Sequence, residues 1–408
     1  MKVLQVNCVY NSGSTGKIVK DIHSVLLNND IESVVCYGRG NKINENNIYL
    51  LSNNIFGKIN NAISRFKGVL YGGCHYSTIK LINIIKKEKP DIVHLHCLNG
   101  FFVNIYKFLK WLGKNNIKVV LTLHAEFMYT GSCGYSYECK KWKQSNGCSD
   151  CEIWKTETNS VVGDKTNKSF NFMNKAFSYI KPENITIVSV SPWLMNRAQN
   201  SYILKNFEHQ CVFNGVDTNI FYNKNIQKDS MFENNADKKI VFHPTSYFSC
   251  NQDDDKGGRY IISLADKMVA EKYHFYVAGN YDRNIYVPEN VTLLGKITDQ
   301  SILADYYSAA DLTLIASKQE TFSMVCAESL CCGTPVVGFK AGGPESISLN
   351  EYSKFVEYAN IDTLDKTIKE FCFNKCKNYD ISNNAKDVYS KEIMTKNYIK
   401  IYKDLLKI

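Results

Sequence analysis

The chain has 408 residues, 44% of them hydrophobic, and carries a formal charge of +9. That length and apolar content predict two domains of ordinary size with real cores, and no apolar run reaches the roughly 18 residues of a membrane-spanning helix. Fifteen cysteines, an odd number with no secretion signal before them, argue for reduced thiols in a cytosol and against a disulfide framework. The excess of positive charge suits an anionic partner, whether nucleotide, nucleic acid or an anionic membrane face.

Val3 to Val9 reads as an apolar strand, and the start MKVLQVNCVYNSG as a strand and a turn, not a signal peptide. The turn Tyr10 to Lys17 leads into a helix with Ile18, Ile22, Val25 and Leu26 on one face. A P-loop would need glycine at position 11 and a hydroxyl residue at 18, where this chain has Asn11 and Ile18. Gly13 and Gly16 therefore read as a turn that lets backbone approach a ligand at the top of the first strand, or as a plain turn. Ile59, Ile63, Phe66 and Leu70 follow helical spacing. Lys58 to Lys89 holds seven Lys or Arg and one acid, Glu88, which suits a basic amphipathic segment on an anionic membrane or an ordinary solvated face.

Pro90-Asp91 introduces the strand Ile92 to His96, whose His94 and His96 share a face and read as packed or capping histidines. Val119 to Leu123 is the next buried strand, with His124 at its end, followed by Ala125 and Glu126. Cys133, Cys139, Cys148 and Cys151 then fall within 19 residues. Cys148 and Cys151 have zinc-knuckle spacing, so a structural zinc bracing the loop 131–151 is one expectation and four free thiols the other.

Ile187 to Val190 is a strand and Asn214-Gly215 a turn. The polar stretch Asn223 to Lys239 reads as a linker, and Ile240 to Phe242 begins a second sheet. Asp253-Asp254-Asp255-Lys256-Gly257-Gly258 precedes a helix with Ile261, Ile262, Leu264, Ala265 and Met268; its aspartates read as a solvated loop more readily than as a magnesium site. Tyr276 to Gly279 and Val291 to Gly295 are further strand ends. Leu312 to Ala316 is a buried strand, Ser317 to Thr321 a polar connection, and Phe322, Val325, Cys326 and Leu330 one face of a helix stopped by Gly333 and Pro335. With Val336 to Phe339 this is a right-handed strand–loop–helix–strand crossover. It puts Glu320 at the carboxyl end of a strand and the free amides near Phe322, Ser323 and Met324 beside it, with Glu328 further along the helix. An amide nest and two carboxylates meet the needs of a sugar nucleotide; the other reading is a solvated loop residue at Glu320 and a solvated helix residue at Glu328. Met394, Tyr398, Ile401 and Leu405 form a closing amphipathic helix.

The stretch Glu320 to Glu328, with Gly333-Thr334-Pro335-Val336-Val337 and Gly342-Gly343-Pro344-Glu345 after it, resembles the glutamate-seven-residues-glutamate signature of the family-four retaining glycosyltransferases, glycosyl transferases group 1. The resemblance implies an α/β protein of the GT-B fold, two Rossmann-like doubly wound domains facing across a cleft. It divides the chain into an acceptor domain at 1–222, a nucleotide-sugar domain at 223–385 and a closing helix at 386–408 that crosses back. It gives Glu320 to the donor sugar, Glu328 to the ribose, Lys256 with Gly257 to the diphosphate, and His124 to the reacting centre. Gly13, Gly16, Phe322, Ser323, Met324 and Asn214 join the donor site. Three departures stand out: Ala125 replaces a common aspartate, with Glu126 as its conjectured substitute; Ser323 stands where glycine is frequent; and the arginine usual before Lys256 is missing, Arg259 being the nearest stand-in. The region Phe127 to Trp142 resembles members linked to exopolysaccharide assembly.

The implied function is transfer of a sugar from a nucleotide-diphosphate donor to a saccharide or lipid-linked saccharide acceptor, with retention of anomeric configuration, in bacterial surface polysaccharide biosynthesis. No metal cofactor is expected for that chemistry, because lysine and amides hold the electrostatic role. The enzyme is expected in the cytoplasm, at the inner face of the membrane, with no nucleic-acid partner. The alternatives are a nucleotide-sugar epimerase of the same fold and a zinc-knuckle nucleic-acid-binding protein.

Overall fold

The structure is a computed structural model that describes residues 1–373 and 378–408. The chain forms two compact units, Met1–Phe213 with Met394–Ile408, and Asn214–Ile393. The first unit runs β1 (Lys2–Asn7), α1 (Gly13–Asn28), β2 (Glu32–Tyr37), β3 (Ile48–Leu50), α2 (Asn54–Lys67), α3 (His75–Glu88), β4 (Ile92–Leu95), α4 (Ile105–Lys114) and β5 (Val119–Leu123). It continues through α5 (Trp154–Thr158), α6 (Thr166–Phe177), β6 (Ile185–Ser189), α7 (Pro192–Gln199) and β7 (Glu208–Cys211). The second unit runs α8 (Lys228–Phe232), β8 (Lys239–Phe248), α9 (Gly258–Lys267), β9 (Tyr273–Tyr281), β10 (Val291–Gly295), α10 (Gln300–Ala309) and β11 (Leu312–Ile315). Then come α11 (Met324–Cys331), β12 (Val336–Phe339), α12 (Gly343–Ile347), β13 (Ser353–Val356), α13 (Ile361–Phe373) and α14 (Asn378–Tyr389). The last helix, α15 (Lys391–Leu406), returns to the first unit.

Each unit holds one sheet, ordered β3-β2-β1-β4-β5-β6-β7 in the first and β10-β9-β8-β11-β12-β13 in the second. All neighbouring strands are parallel. Parallel strands need crossover helices, which cover both faces and leave the central strands buried on both sides. The runs VVLTL of β5, LTLI of β11 and VVGF of β12 are accordingly buried throughout. In both sheets the strand order reverses between two central strands, β1 and β4 or β8 and β11, which is the doubly wound topology with its switch point at the strands' carboxyl ends.

Several boundaries differ from the sequence expectation for local reasons. The first strand stops at Asn7, whose side chain donates to Val9 O at 2.8 Å and accepts from Cys97 N at 3.1 Å. The expected linker 223–239 is a packed part of the second unit. It contains α8, whose Phe232 is buried, and the Lys228 ammonium pairs with Asp311 at 2.5 Å. Residues 214–222 also belong to the second unit, since Val216 N donates to Tyr389 O at 2.7 Å and Val216 O accepts from Lys391 N at 3.0 Å. The segment expected as one basic helix is two, α2 and α3. The first ends where Gly68 takes a left-handed φ of 67°, and Leu70 lies buried beyond it. Ile59, Ile63 and Phe66 lie on α2 but face solvent. Among the described residues no helix is long and apolar enough to cross a membrane.

The closing helix α15 presents Met394, Tyr398, Ile401, Tyr402 and Leu405 to a core shared with Val3, Ile18, Ile22, Leu26, Ile92, Val120, Val188 and Val212. Its tyrosines bring polar ends into that core and satisfy them there. Tyr402 OH lies 2.7 Å from His94 Nδ1 and Tyr398 OH lies 2.9 Å from Thr122 Oγ1, which is itself 2.8 Å from His94 Nε2. Tyr402→Phe leaves a buried imidazole nitrogen without its partner, so stability falls by about 1–3 kcal/mol. The urea midpoint read by circular dichroism checks this; an unchanged midpoint would show the hydrogen bond to be dispensable.

Candidate functional site

The loops after β8 and β11 meet at the switch point of the second sheet. Gly257 opens α9 with φ +75°, and a Cβ there would fall 2.2 Å from Ala316 O. Glycine is thus required both for the backbone conformation and for the close approach of the two loops. Lys318 N donates to Asp255 O at 2.8 Å and completes the clasp. Asp254 accepts from Lys256 N at 3.2 Å and Gly258 N at 3.3 Å, so this aspartate holds the turn in shape. The clasp places Lys256 Nζ 2.9 Å from Glu320 Oε1, with Ser317 Oγ donating to the same oxygen at 2.7 Å. Burial raises the pKa of the Glu320 carboxyl, but the Lys256 charge and hydrogen bonds from Ser317, Lys256 and Ser323 outweigh it and hold the carboxyl below its ordinary value.

Backbone bonds fix the same loop from its other side. Glu320 N donates to Ala341 O at 2.9 Å and Glu320 O accepts from Gly343 N at 2.8 Å. The Glu345 carboxylate accepts from Ala341 N at 2.9 Å and Gly342 N at 2.8 Å, which explains the Gly-Gly-Pro-Glu run as an anchor. Ser323 caps α11 by accepting from Cys326 N at 3.4 Å, with φ +122°, a backbone region that favours glycine. The amide start of α11, at Met324, follows directly, and Phe322 is buried against it. Glu328 is half-buried on α11 and accepts from Tyr307 OH at 3.2 Å. Ser317 and Tyr307 escaped the sequence reading because a single hydroxyl has no periodic signature. His243 escaped it too: buried on β8, it keeps Nδ1 2.8 Å from Leu314 O while its buried Nε2 has no hydrogen-bond partner.

Lys256, Gly257, Glu320, Phe322, Ser323 and Met324 thus come together between the end of β11 and the start of α11, while Glu328 lies further along α11 beside Tyr307. Arg259 does not present a free guanidinium in place of the missing arginine, because it donates to Gln252 O at 2.7 Å and Tyr260 OH at 3.0 Å. Asn214 is buried at the head of the second unit, in the segment bonded to the end of α14. The other expected residues belong to the first unit. Gly13 starts α1 with φ +62°, and Gly16 O accepts from Asn11 N at 2.9 Å, which closes the turn. His124 Nε2 lies 3.2 Å from His96 Nδ1, and the rings of His94 and His96 are 3.9 Å apart. Burial lowers all three, His124 to about 4, so the stack is neutral at ordinary pH.

Glu126 is no replacement for an aspartate at Ala125, because its carboxylate is committed inside the fold. It is fully buried, pairs with Arg197 Nε at 2.7 Å, and accepts from Tyr129 OH at 2.8 Å and Ser136 N at 2.6 Å. The Arg197 guanidinium lies over the rings of Trp142 and Trp193 at 5.1 and 4.8 Å and so pins the cysteine loop to α7. Within that loop Cys133 and Cys151 share a hydrogen bond, which draws Cys151 down to about 7 and pushes Cys133 up. Cys148 Sγ accepts from Gly131 N at 3.1 Å. Among the described residues no three His, Cys, Asp or Glu side chains are grouped to hold a metal ion, and the described cysteines are unbridged.

A doubly wound parallel sheet that brings a cation, a carboxylate and a helix start to its switch point defines an open α/β protein with its candidate ligand site at that edge. Residues 244–372 match the glycosyl transferases group 1 family. That match lies within the second unit, and the chain as a whole has the GT-B fold. It is 22% identical to a 41.2 kDa protein of the cps region of Klebsiella pneumoniae, covering 92% of this chain and 96% of that one. It is 21% identical to the putative colanic acid biosynthesis glycosyl transferase WcaC of Escherichia coli K12, covering 99% and 100%. Anabaena HepE, solved in complex with UDP, shares the fold at a TM-score of 0.66 and 13% identity, covering 99% and 100%.

Two outcomes follow from these contacts. In wild type the depressed Glu320 pKa contributes stability that is present above the unfolded glutamate value and lost as pH falls through the folded one. Lys256→Met removes the cation but leaves the Ser317 and Ser323 bonds, so the carboxyl rises and the variant loses less stability than wild type as pH falls through the carboxylate range. Urea midpoints of the two proteins across acid pH measure this; parallel curves would overturn it. Arg197→Ala strands the buried Glu126 charge and costs about 3–5 kcal/mol, read by thermal melting, whereas a loss under 1 kcal/mol would show that the carboxylate finds another partner.

Proposed function

We propose that the protein transfers a sugar, with retention, from a nucleotide-diphosphate donor to a saccharide or lipid-linked saccharide acceptor during assembly of a bacterial surface polysaccharide. The observation that carries this reading is the Lys256–Glu320 pair, 2.9 Å apart at the switch point and next to the start of α11. The relatives' cps-region and colanic-acid names support the polysaccharide, and the UDP held by Anabaena HepE supports a uridine nucleotide. Retention rests on the resemblance to the family-four enzymes. The inner face of the cell membrane is the place where such an acceptor is met, and the net charge of +9 suits its anionic lipids.

In the reaction the bond from the anomeric carbon to the diphosphate oxygen breaks, and the acceptor hydroxyl oxygen bonds to that carbon. The hydroxyl proton leaves with the departing diphosphate. Negative charge grows on the diphosphate and positive charge on the sugar ring. Lys256 is placed to turn from Glu320 to the diphosphate, with the amides at Phe322 to Met324 beside it. Glu320, relieved of its partner, then faces the developing positive charge. A helix start contributes about 0.3–1 kcal/mol and a charge-assisted bond about 1.5–3 kcal/mol. Rate enhancements call for about 8–23 kcal/mol, so orientation of donor and acceptor supplies much of the remainder. His124 enters as a neutral imidazole, a hydrogen-bonding group rather than a charge.

The ribose does not change in the reaction, so Glu328→Ala raises the donor KM about tenfold to a hundredfold with kcat little altered. Glu320→Gln keeps the shape, removes the charge that the transition state needs, and lowers kcat more than it changes KM. Steady-state kinetics with a donor found by screening nucleotide sugars reads both, and NMR of the product gives its anomeric configuration. If Glu320→Gln kept full kcat while Glu328→Ala lost it, the roles would be reversed; an inverted product would remove retention.

A further inference from the structure

Helix α2 is turned inside out. Its buried positions are Gly57, Asn60 and Ser64, whereas α1 and α15 bury aliphatic and aromatic side chains in the usual way. At about 100° per residue, Ile55, Ile59, Ala62, Ile63 and Phe66 form one stripe opposite that small, polar side. Ile55 is 72% exposed, Phe66 70% and Ile59 53%. The helix is held this way round by its inner polar residues. Asn60 Oδ1 accepts from Cys74 N at 3.0 Å, and Asn53 caps the first turn by accepting from Phe56 N at 2.8 Å. A second segment extends the stripe at its far end. Val161 N donates to Arg65 O at 3.0 Å and Arg65 Nε to Asn159 O at 2.9 Å, and Val161 and Val162 are both exposed.

The charges that α2 itself sets along this apolar face have one sign. Lys58 and Arg65 flank it on one side and Lys67 on the other, and Lys165 packs beside Gly68 at its end. The helix itself contains no acidic residue. An exposed apolar stripe framed by cations matches the boundary between lipid headgroups and acyl chains. A second copy of the same face would bring like charges together, and a convex helix offers a peptide no groove. We propose that the outward face of α2, extended by Val161 and Val162, docks the first unit onto an anionic phospholipid surface, with the apolar side chains entering the headgroup boundary and the cations meeting lipid phosphates. The purpose of that docking rests on the membrane-side acceptor proposed above, but the docking itself is read from this face alone. Helix α3, which carries three lysines and Glu88, buries Leu81, Ile84 and Ile85 in the ordinary way and is not part of the face.

Co-sedimentation of the full chain with vesicles tests the proposal, using phosphatidylcholine alone or mixed with phosphatidylglycerol and no saccharide acceptor. The wild type pellets with the mixed vesicles and is partly released by high salt. Ile59→Ser with Phe66→Ser lowers the partition coefficient about tenfold or more. Lys58→Gln with Lys67→Gln lowers it about fivefold per charge removed and flattens the salt dependence. All four positions are exposed, so thermal melting and the melting shift given by UDP stay at wild-type values. Failure of that UDP shift in every protein would count against the donor site and leave docking untouched. Equal pelleting with neutral and mixed vesicles, or wild-type pelleting by both double variants, overturns the proposal. So does a wild-type dimer in sedimentation equilibrium that Ile59→Ser with Phe66→Ser turns into monomer, because the face would then belong to a second copy.

Discussion

Two opposite charges held 2.9 Å apart set the terms for the second unit. A carboxylate drawn largely out of water is costly unless it is paired and hydrogen-bonded, and half-buried Glu320 is both. Keeping it so requires the β8 and β11 loops to touch, which only a glycine at 257 permits, and requires the β12 loop to bond the Glu320 backbone on its other side. The strained backbone of Ser323 belongs to the same arrangement, since its hydroxyl serves both the carboxylate and the first turn of α11. These local features depend on strand polarity. An antiparallel pair would send the two loops to opposite ends of the sheet, whereas the parallel pair delivers both to one edge.

The first unit repeats the topology but uses its buried polar groups differently. The Glu126–Arg197 pair and the histidine–tyrosine network behind β4 and β5 are satisfied by the protein itself and stiffen the frame. The histidines are held neutral, so the frame behind the loops of this sheet carries little charge. The second unit, by contrast, keeps a cation and a carboxylate paired with each other at its switch point, and such a pair can be reopened by a ligand that brings its own charge.

The sequence makes legible what depends on near neighbours. The crossover from Leu312 to Phe339 follows from local periodicity and from Gly333 and Pro335, and its helix stops where those residues stop it. Lys256 and Glu320 were identifiable singly, through resemblance, but their contact spans 64 residues and has no periodic trace. Periodicity located the stripe on α2 and could not say which side of the helix the protein would keep. Ile59, Ile63 and Phe66 look like a core face until the small residues Gly57, Asn60 and Ser64 are seen taking that place. The stretch 223–239 reads as a linker because it is polar, yet Phe232 and Lys228 suffice to pack it. Glu126 looked available because sequence shows proximity to His124 and not the arginine that reaches it from 71 residues away.

The return of α15 to the first unit has a consequence for the order of folding. Five core side chains of that unit come from residues 394–405, which are made only after the whole second unit. Domains usually fold in the order of their synthesis. Here the earlier unit waits with an incomplete core, exposing Ile22, Val120 and their neighbours, while the later one can close. The second unit is in effect an insertion within its neighbour, so during biosynthesis its own core can close before that of the first unit is whole.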